Sequence, residues 1–511
     1  MKFYITTSIP YLNGPPHLGH TLEFVQTDAI ARYERLQGKD VFFLTGSDEH
    51  GANIARSAEA AKKTPKEFVD SGVIFFANLL KKINISNDDF IRTSDKERHW
   101  PGAISLWEHL KTAGDLYTGP YRGLYCAGHE AFITEKDLVN GVCELHKKSP
   151  EEVYEENYFF KLSKYVPKIK EAIMRDTIKI FPEFRKTEVI HMLEESEDVS
   201  FSRPSKDLSW GIPVPGDDTQ TMYVWCDALS NYISALGFGS HDRTAFDAYW
   251  PADMHLIGKD IIKFHAIFWP AMLMSAKLPL PKAIFVHGFI NTKGEKMSKS
   301  TGNVADPFPL IEKYGADAVR FYLLSQVSTF HDSDFSEEHF HDVYEGVLVS
   351  GLGNLLSRTL KMMSGFGAIS KPSPEKLLQY PFLKHIDSLE IEETAVSLAV
   401  DKIILPEYHA CMERHELQEA INLAINLSKR LDEYIEKYKV YKLIKENPEG
   451  AVITLWNLAY ALSSIAVMLK PFLPDTAEKI LNALDADSAL EKKWTKFTAK
   501  EVPHLFPRIE K

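Results

Sequence analysis

The chain has 511 residues, of which 44% are apolar and 25% are charged, a composition that excludes a mainly disordered protein. At about 150 residues per domain, this length predicts about three domains. The 59 Lys and Arg against 71 Asp and Glu give a net charge of −12, which excludes a surface coated in positive charge but permits one local basic face for nucleic acid. Four cysteines are too few for a disulfide scaffold.

The N-terminal part alternates strands and helices. Residues 3–8 form a β-rich run rather than a signal peptide, so we expect a cytoplasmic protein. The next segment predicts a helix that ends at Gly38, and residues 41–45 predict the following strand. This order is typical of a βαβ unit with parallel strands. The apolar face of the predicted helix consists of Leu22, Val25, Ala29, Tyr33 and Leu36.

The α/β pattern breaks near residue 115 and returns with a strand at 255–258, a helix at 261–276 and a strand at 283–290. We therefore predict a Rossmann-type parallel sheet split by a connective insertion. After residue 300 strands disappear, and an all-α helix bundle is predicted from 351, with a loop at 365–374. The predicted domains are 1–115 and 220–299 for the two halves of the Rossmann domain, 116–219 for the insertion, 300–350 for a connecting region and 351–511 for the bundle. The apolar stripe of the bundle includes Leu417, Ile421, Ala424, Leu427, Leu431 and Ile435.

One uncharged run is long enough to cross a bilayer. Residues 451–469 contain no formal charge, but polar side chains such as Asn457 and Ser463 interrupt them, and the run stands alone in the sequence. We predict a buried bundle helix and no membrane contact, with a membrane span as the alternative.

The first candidate motif is Pro16-His17-Leu18-Gly19-His20, between a predicted strand and a predicted helix. A helix N-terminus favours phosphate, and two imidazoles one turn apart can donate to phosphate oxygens as charge develops. Gly19 lets a flat base approach the backbone. Alone, the motif also fits a polar turn with two surface histidines.

The second candidate motif is Lys296-Met297-Ser298-Lys299-Ser300, after the strand at 283–290. Two lysines and two hydroxyls suit a loop that holds a triphosphate and neutralises the departing pyrophosphate, although a solvated basic turn has the same composition. The two motifs in this order and context resemble the signature of class I aminoacyl-tRNA synthetases.

Over nearly its whole length the chain resembles the bacterial-type methionyl-tRNA synthetases with a single zinc-knuckle insertion. The resemblance implies a ligase that uses ATP with Mg²⁺ to form methionyl-adenylate and then transfers methionine to the terminal adenosine of its tRNA. One alternative is a class I synthetase for another amino acid, such as leucine, isoleucine or cysteine; the compact insertion argues against the large editing domains of the first two. The other alternative is a catalytically silent tRNA-binding paralogue, and the intact motifs argue against it. The matching segments are TTSIPYLNGPPHLGH (6–20), FFLTGSDEHG (42–51), DDFIRTSD (88–95), ENYFFKLS (156–163), FSRPSKDLSWGIPVP (201–215), YVWCDALSNYISA (223–235), LIGKDIIKFHAIFWPAML (256–273), GEKMSKSTGNVADP (294–307) and LKPFLPDTAEKI (469–480).

The resemblance also implies the substrate-binding residues. Methionine is unbranched and polarisable, so it packs well against aromatic walls, and a carboxylate such as Asp48 suits its α-ammonium. Arg203 would help to orient the acidic residue and ATP, Asp260 would accept from the ribose, and His17, His20, Lys296, Lys299 and Asp48 are the implied catalytic residues. The apolar members also fit core packing, and the departures Cys226 and Leu229 remove no polar group that the chemistry needs. The implied methionine-binding residues are Ile9, Tyr11, Asp48, Trp225, Ala228, Tyr232, Ile261 and His265, and the implied ATP-binding residues are His17, Gly19, His20, Arg203, Asp260, Lys296, Ser298 and Lys299.

Two close Cys/His pairs form a third motif: Cys126-x2-His129 and Cys143-x2-His146. Two pairs separated by a loop suit a tetrahedral structural zinc site. The family commonly has Cys where this chain has His129, which is also an acceptable ligand. The alternative is a knuckle that has lost its metal.

The helical C-terminal domain would read the anticodon, and the region at 300–350 would contain the loop of the second motif and contact the tRNA stem, as the resemblance implies. Asn354 and Arg358 are four residues apart, so one helix face presents both, and an RNA loop is recognised by stacking and base-edge contacts. Tyr441 stands where the family usually has Trp, and Val440 where it has Pro. The alternative is a solvated helix face. The nearby basic residues are Lys429, Arg430, Lys437, Lys439, Lys442 and Lys445.

The expected partners are methionine, ATP and the methionine tRNA. Some relatives carry an additional tRNA-binding module that makes them dimers. We see none in this sequence and expect a monomer.

Overall fold

The computed structural model describes residues 1–126, 131–133, 138–143, 148–292, 295–296, 305–382, 385–386, 389–390, 394–486, 494–501 and 504–509. The chain forms two compact units. The first comprises Met1–Pro16, Lys39–Leu80 and Ser86–His287. The second comprises His17–Gly38, Lys81–Ile85 and Gly288–Lys511.

Six parallel strands form the main sheet of the first unit. The strand order reverses beside the first strand, and ligands of doubly-wound sheets bind at the carboxyl ends of the strands at such a point. The predicted Rossmann-type parallel sheet is therefore confirmed. In spatial order the strands are Asp89–Arg92, Asp40–Ser47, Lys2–Thr7, Met254–Gly258, Ala283–His287 and Lys179–Phe181.

The last of these strands comes from within the predicted insertion at 116–219. Lys179–Phe181 pairs in parallel with Ala283–His287, so this part of the insertion extends the main sheet. The boundaries at 115 and 219 do not separate compact units either, because residues 86–287 belong to one. The five predicted domains stay a prediction.

Two predicted elements are divided in the structure. The predicted helix at 261–276 consists of a 3₁₀ turn, Lys259–Ile261, a π-helical turn, Phe264–Phe268, and an α-helix, Trp269–Ser275. Pro270 has no N–H for an i→i−4 hydrogen bond, and the wider turn directly precedes it. The predicted strand at 283–290 ends at His287, and a separate strand begins at Ile290.

Helices pack against the main sheet, and antiparallel strands make up most of the insertion. The core includes fully buried Leu106, Trp107, Ile267 and Trp269. The helices are Ala52–Ala60, Pro65–Lys82, Trp100–Thr112, Val166–Met174, Glu183–Glu194, Val224–Leu229, Asn231–Ser234 and Thr244–Tyr249, with a 3₁₀ turn at Leu162–Lys164. The insertion strands are Leu116–Cys126, Ala131–Ile133, Leu138–Val139, Val142–Cys143, Glu151–Phe160, Val199–Ser200, Ser202–Pro204, Pro213–Val214 and Asp217–Met222.

The second unit begins with the helix Leu18–Leu36, which confirms the predicted helix. Its predicted face is buried at Leu22, Val25, Ala29 and Tyr33. Gly38 follows the helix with φ +79°, a left-handed conformation that glycine adopts without strain.

The rest of the second unit is mainly helical. Every residue of the apolar stripe between Leu417 and Ile435 is buried, as predicted. The helix Pro448–Leu469 is long and apolar enough to cross a membrane, but 94% of its most apolar window is buried inside the protein, which fits the predicted bundle helix. The helices are Pro307–Tyr314, Ala316–Ser325, Glu337–Val343, Asn354–Met363, Pro374–Leu377, Val396–Ala399, Leu405–Glu413, Leu417–Tyr438, Val440–Glu446, Pro448–Leu469 and Pro474–Ala483, with π-helical turns at Tyr344–Gly353 and Val400–Ile404.

Short strands also occur after residue 300, contrary to our expectation. Ala368–Ser370, inside the predicted loop at 365–374, pairs in antiparallel with Lys496–Thr498, far away in the sequence. Two- and three-residue strands show too little alternation to be predicted from sequence. The strands of the second unit are Ile290–Thr292, Glu295–Lys296, Ser333–Asp334, Ala368–Ser370, His385–Ile386, Leu389–Glu390 and Lys496–Thr498.

Candidate active site

Two loops meet at the carboxyl edge of the main sheet. Tyr11 follows the strand Lys2–Thr7 and Asp48 follows Asp40–Ser47, and the two residues form a parallel backbone bridge. The Leu12 N–H donates to the Asp48 carbonyl (3.1 Å), and the Asp48 N–H donates to the Pro10 carbonyl (2.9 Å). The backbone of Asp48 is thus fixed independently of its side chain, which is 8% exposed.

The residue after Asp48 holds this loop in place. The Glu49 side chain is fully buried and accepts two hydrogen bonds from the Arg92 guanidinium (2.6 and 2.9 Å). Hydroxyls of Ser47 and Ser94 also donate to it. A buried carboxylate needs such partners, and here they fix the conformation of the loop that presents Asp48.

Aromatic side chains of the helix Val224–Leu229 and the turn Phe264–Phe268 form a stacked cluster. The rings of Trp225 and Phe264 are stacked with centroids 3.7 Å apart and planes 5° from parallel. Trp225 also meets His265 edge-on at 6.3 Å. Ile9 and Ile261 are half-buried and pack against the same core cluster. Trp225 and Ile261 thus pack against one core cluster, and their role in binding methionine stays a prediction.

Tyr232 and His265 form a buried hydrogen-bonded pair. The Tyr232 hydroxyl lies 2.7 Å from His265 Nε2, and His265 Nδ1 lies 3.0 Å from the Ile261 carbonyl. Because a carbonyl only accepts, Nδ1 carries the proton and Nε2 accepts from the tyrosine. Burial lowers the pKa of His265 to about 4, so the imidazole is neutral near pH 7. The pair therefore presents an uncharged polar edge that suits a thioether. Ala228 lies buried on the helix before Tyr232.

Arg203 lies at the edge of a polar cleft in the first unit. Its guanidinium donates to Glu155 Oε1 at 2.8 Å, and Glu155 is itself buried. The cleft has a volume of about 520 Å³. Two of its lining residues are close in sequence to the implied methionine-binding residues: Gly51 lies three residues after Asp48, and Val224 directly precedes Trp225. Its lining residues are Gly51, Ala52, Arg56, Glu151, Glu152, Tyr154, Glu155, Arg203, Lys206, Asp207, Leu208, Tyr223 and Val224.

Asp260 is exposed just beyond the strand Met254–Gly258. A methyl group added at Gly258 would lie 2.9 Å from Asp260 Oδ1, so the carboxylate sits against the glycine at the strand end. This position leaves the carboxylate accessible to a hydroxyl donor.

His17 and His20 cap the helix Leu18–Leu36. His17 Nδ1 accepts from the Gly19 N–H (3.1 Å), and His20 Nδ1 accepts from the His17 N–H (3.2 Å). The two rings stack at 3.8 Å. Because each Nδ1 accepts, each neutral ring carries its proton on Nε2. Both imidazoles are thus set as Nε2–H donors beside a helix N-terminus, which suits a phosphate group.

Gly19 provides the space for the His17 ring, a role that the sequence interpretation did not foresee. A Cβ at residue 19 would lie 2.9 Å from His17 Cε1 and 3.0 Å from Nδ1. We predict that Gly19→Ala displaces this ring and lowers the rate of adenylate formation by about tenfold or more, measured by ATP–pyrophosphate exchange. Gly38→Ala, at the other end of the same helix, is the control and should leave that rate unchanged; equal activity of both variants would contradict the role of Gly19.

The loop of the second motif lies largely outside the described residues. Ser298 and Lys299 are not described, and for Lys296 only the backbone is, where it pairs with Asn291. The carbonyl of Ala305, which follows the motif in sequence, accepts from the Leu18 N–H at 3.1 Å. The end of this segment is therefore hydrogen-bonded to the start of the helix that His17 caps.

The proposed zinc ligands are described only in part. Cys126 and Cys143 end the strands Leu116–Cys126 and Val142–Cys143, and both are 1% exposed. His129 and His146 lie outside the described residues. Among the described residues, no group of three or more Cys, His, Asp or Glu side chains is placed to hold a metal ion.

The predicted anticodon residues lie on two helices of the second unit. Asn354 is exposed at the start of Asn354–Met363, and Arg358 is one turn later. The Arg358 guanidinium donates to Glu436 (2.7 Å) and Asp432 (3.3 Å) on the helix Leu417–Tyr438. Tyr441 is 44% exposed on the helix that follows. These three side chains are thus partly or fully exposed polar and aromatic groups.

Comparison with known proteins identifies the family. The family model for class I tRNA synthetases (M) matches residues 3–137 and 133–360, and that for the anticodon-binding domain of tRNA ligases matches 403–510. Over 488 residues the chain is 40% identical to the methionine–tRNA ligase of Brucella suis biovar 1, covering 94% of this chain and 92% of that protein. The chain belongs to the methionyl-tRNA synthetases. It is also 41% identical over 525 residues to the methionine–tRNA ligase of Clostridium acetobutylicum, covering 100% of this chain and 78% of that protein.

A solved structure of the same family has a similar fold. The Mycobacterium tuberculosis methionyl-tRNA synthetase in complex with methionyl-adenylate matches with a TM-score of 0.90 and 35% identity, covering 99% of this chain and 100% of that one. Membership of the methionyl-tRNA synthetases confirms the resemblance inferred from the sequence, and it makes this chain an aminoacyl-tRNA ligase.

Sequence reasoning missed two features of this methionyl-tRNA synthetase site. Phe264, which is stacked on Trp225, directly precedes the implied methionine-binding residue His265. This position in the segment IIKFH could have indicated that Phe264 belongs to the site. Glu49 and Arg92 lie in matched segments, but their pairing across 43 residues has no local sign in the sequence.

Proposed function

We propose that this member of the methionyl-tRNA synthetases holds methionine between the Asp48 carboxylate and the aromatic side chains around Tyr232 and His265. The observation that supports this most is the neutral, buried Tyr232–His265 pair beside the stacked Trp225, since a thioether needs polarisable walls and weak polar contacts rather than charge. Asp48 supplies the only charge the proposal needs in this pocket, for the α-ammonium. Ile9, Tyr11, Ala228 and Ile261 complete the proposed pocket.

The first step forms methionyl-adenylate. A carboxylate oxygen of methionine attacks the α-phosphorus of ATP, and the bond from that phosphorus to the oxygen bridging to the β-phosphorus breaks, which releases pyrophosphate. We propose that Nε2–H of His17 and His20 donates to phosphate oxygens as charge develops there. Positioning and charge stabilisation supply the catalysis, with no covalent enzyme intermediate.

The remaining ATP contacts are proposed by family resemblance. Asp260 would accept from the ribose, Gly19 would let the base approach, and Arg203 would help to orient ATP. Lys296, Ser298 and Lys299 would hold the departing pyrophosphate, with Mg²⁺ on ATP. In the second step, a hydroxyl of the terminal adenosine of tRNA attacks the carbonyl carbon of the adenylate, and AMP leaves.

The test of this proposal is ATP–pyrophosphate exchange that depends on methionine. Exchange with methionine but not with leucine, isoleucine or cysteine is the expected result, since these rivals differ from methionine in branching or length. Exchange with a different amino acid would refute the pocket.

We also propose that Cys126, His129, Cys143 and His146 bind one structural zinc ion. The two described thiols are buried, as a closed structural site requires, and two Cys/His pairs supply four suitable donors. Bound zinc would hold the two loops of the knuckle together.

Metal analysis tests the zinc site directly. We expect about one zinc per purified chain and less than half of that in His129→Ala, because a structural site loses affinity without its fourth ligand. His191→Ala removes an exposed histidine as the control and should keep the zinc. A metal-free wild-type protein with full activity would contradict the proposal.

We propose that Asn354, Arg358 and Tyr441 contact the anticodon. An exposed aromatic ring can stack on a splayed base, and the surrounding lysines at 437, 439, 442 and 445 are exposed. We also propose that the protein acts in the cytoplasm as a monomer.

Replacing Tyr441 with alanine separates anticodon contact from activation. We expect the KM for tRNA in aminoacylation to rise about tenfold, because base–aromatic stacking contributes about 1 to 3 kcal/mol, while methionine-dependent exchange is unchanged. Phe184→Ala removes another exposed aromatic ring and serves as the control. Equal loss of exchange and aminoacylation in Tyr441→Ala would refute an anticodon role.

A further inference from the structure

A buried carboxylate lies between two buried imidazoles in the first unit. Asp227 is 1% exposed, with Oδ2 at 2.6 Å from His50 Nδ1 and Oδ1 at 2.7 Å from His99 Nε2. Because an ionised carboxylate only accepts, both histidines donate N–H to it. Burial alone would raise the pKa of Asp227, but the imidazoles of His50 and His99 hold it at about 2. The group is therefore ionised near neutral pH.

The outer end of this network is also satisfied. His99 Nδ1 lies 2.9 Å from the Ser234 hydroxyl. His99 thus bonds to Asp227 through Nε2 and to Ser234 through Nδ1. The four side chains thus form one chain of hydrogen bonds, which fixes the orientation of both imidazoles.

Two members of the network neighbour the two ends of the proposed methionine pocket. His50 lies two residues after Asp48, in the loop beyond the strand Asp40–Ser47. Asp227 lies two residues after Trp225 on the helix Val224–Leu229. The His50–Asp227 bond therefore ties the loop that presents the carboxylate to the helix that presents the aromatic wall.

The hydrogen bond between His99 and Ser234 connects the network to the short helix that carries Tyr232. His99 precedes the helix Trp100–Thr112, and Ser234 lies two residues after Tyr232 on the short helix Asn231–Ser234. A shift of His99 or Asp227 would therefore be transmitted to both helices that line the pocket. None of the four network residues is needed for the chemistry assigned above.

We propose that Asp227, acting through His50 and His99, fixes the distance between the Asp48 carboxylate and the aromatic end of the pocket, and so sets the length of side chain that the enzyme accepts. Asp227 is a positioning residue in this arrangement, because it acts through the segments on either side of it. The inference rests on the proposed methionine pocket. If the network only stabilised the fold, replacing Asp227 would lower the thermal stability without changing the preference among amino acids.

The test is exchange kinetics of Asp227→Asn with methionine and with ethionine, which is one CH2 longer. Asparagine offers one acceptor oxygen, so one imidazole N–H loses its partner and the two segments lose their common support. We expect the KM for methionine to rise about tenfold, with kcat at saturating methionine and the KM for ATP changed less than about threefold. The preference for methionine over ethionine in kcat/KM should fall by about fivefold or more.

Asp115→Asn is a matched control. Asp115 is also 1% exposed and accepts from Lys164 (2.6 Å), Tyr165 and Ser275 (2.7 Å), at a site that has no member in the proposed pocket. This variant should lose comparable thermal stability while keeping the KM for methionine and the methionine-to-ethionine preference.

The outcomes separate the inference from the proposed function. An unchanged KM and preference in folded Asp227→Asn, or changes equal to those of Asp115→Asn, would overturn the inference. If Asp227→Asn does not fold, Ser234→Ala decides, because it removes a single oxygen; we expect about a threefold rise in the KM for methionine, and no rise would overturn the inference. Wild-type protein without methionine-dependent exchange would instead overturn the proposed function.

Discussion

Replacing His20 with asparagine is expected to lower the rate of methionine-dependent ATP–pyrophosphate exchange by about 100-fold or more while leaving the thermal midpoint unchanged. The asparagine Oδ1 can accept from the His17 N–H in place of Nδ1, so the helix cap survives. The variant has no donor where Nε2–H stood, so the phosphate loses one hydrogen bond that strengthens as charge develops.

His20→Gln is the complementary variant. The glutamine amide can take the position of Nε2–H but not that of Nδ1, so more activity should remain while the lost cap costs about 1 kcal/mol of stability. Measuring exchange and thermal unfolding on both variants separates catalysis from capping. If His20→Asn were as active as the wild type, His20 would only cap the helix and its proposed catalytic role would fail.

Replacing Asp48 with asparagine is expected to raise the KM for methionine by about 100-fold. The side chain is nearly buried, and breaking one partner of a desolvated charge pair costs about 2 to 5 kcal/mol. The loop itself should survive, because the backbone of Asp48 is held by Leu12 and Pro10 and the loop by Glu49. The KM for ATP should therefore change by less than about threefold.

An exposed carboxylate provides the control for the Asp48 variant. Asp207 lines the neighbouring cleft and is exposed, so Asp207→Asn changes the same formal charge without removing a buried partner. We expect its KM for methionine to be unchanged, since exposed charges are screened. A similar rise in both variants, measured by exchange at varied methionine, would show that Asp48 acts through general electrostatics rather than by direct contact.

The local features of the fold were predictable from the sequence. The helix Leu18–Leu36 and the strands Lys2–Thr7 and Asp40–Ser47 have long, regular apolar patterns, and Gly38 marks the helix end. The three-residue strand Lys179–Phe181 was not predictable, because a segment of this length shows no period. Its pairing with Ala283–His287 depends on contacts across about a hundred residues.

The residues of the candidate site were predictable from the sequence, but several of their pairings were not. Tyr232 and His265 came from matched segments, and in the structure they are hydrogen-bonded to each other, with the Ile261 carbonyl fixing the imidazole tautomer. The pairing of Arg203 with Glu155 was not predictable, because it joins two strands far apart in sequence. The same holds for Arg358, whose carboxylate partners lie on another helix of the second unit.

The measurement that tests the central claim most directly is ATP–pyrophosphate exchange on the purified chain with a panel of amino acids. We predict exchange with methionine and none with leucine, isoleucine or cysteine. Exchange with one of these instead would be consistent with a class I synthetase but would refute the proposed methionine pocket. Folded protein that binds tRNA but exchanges with none of them would contradict the catalytic assignment of His17 and His20.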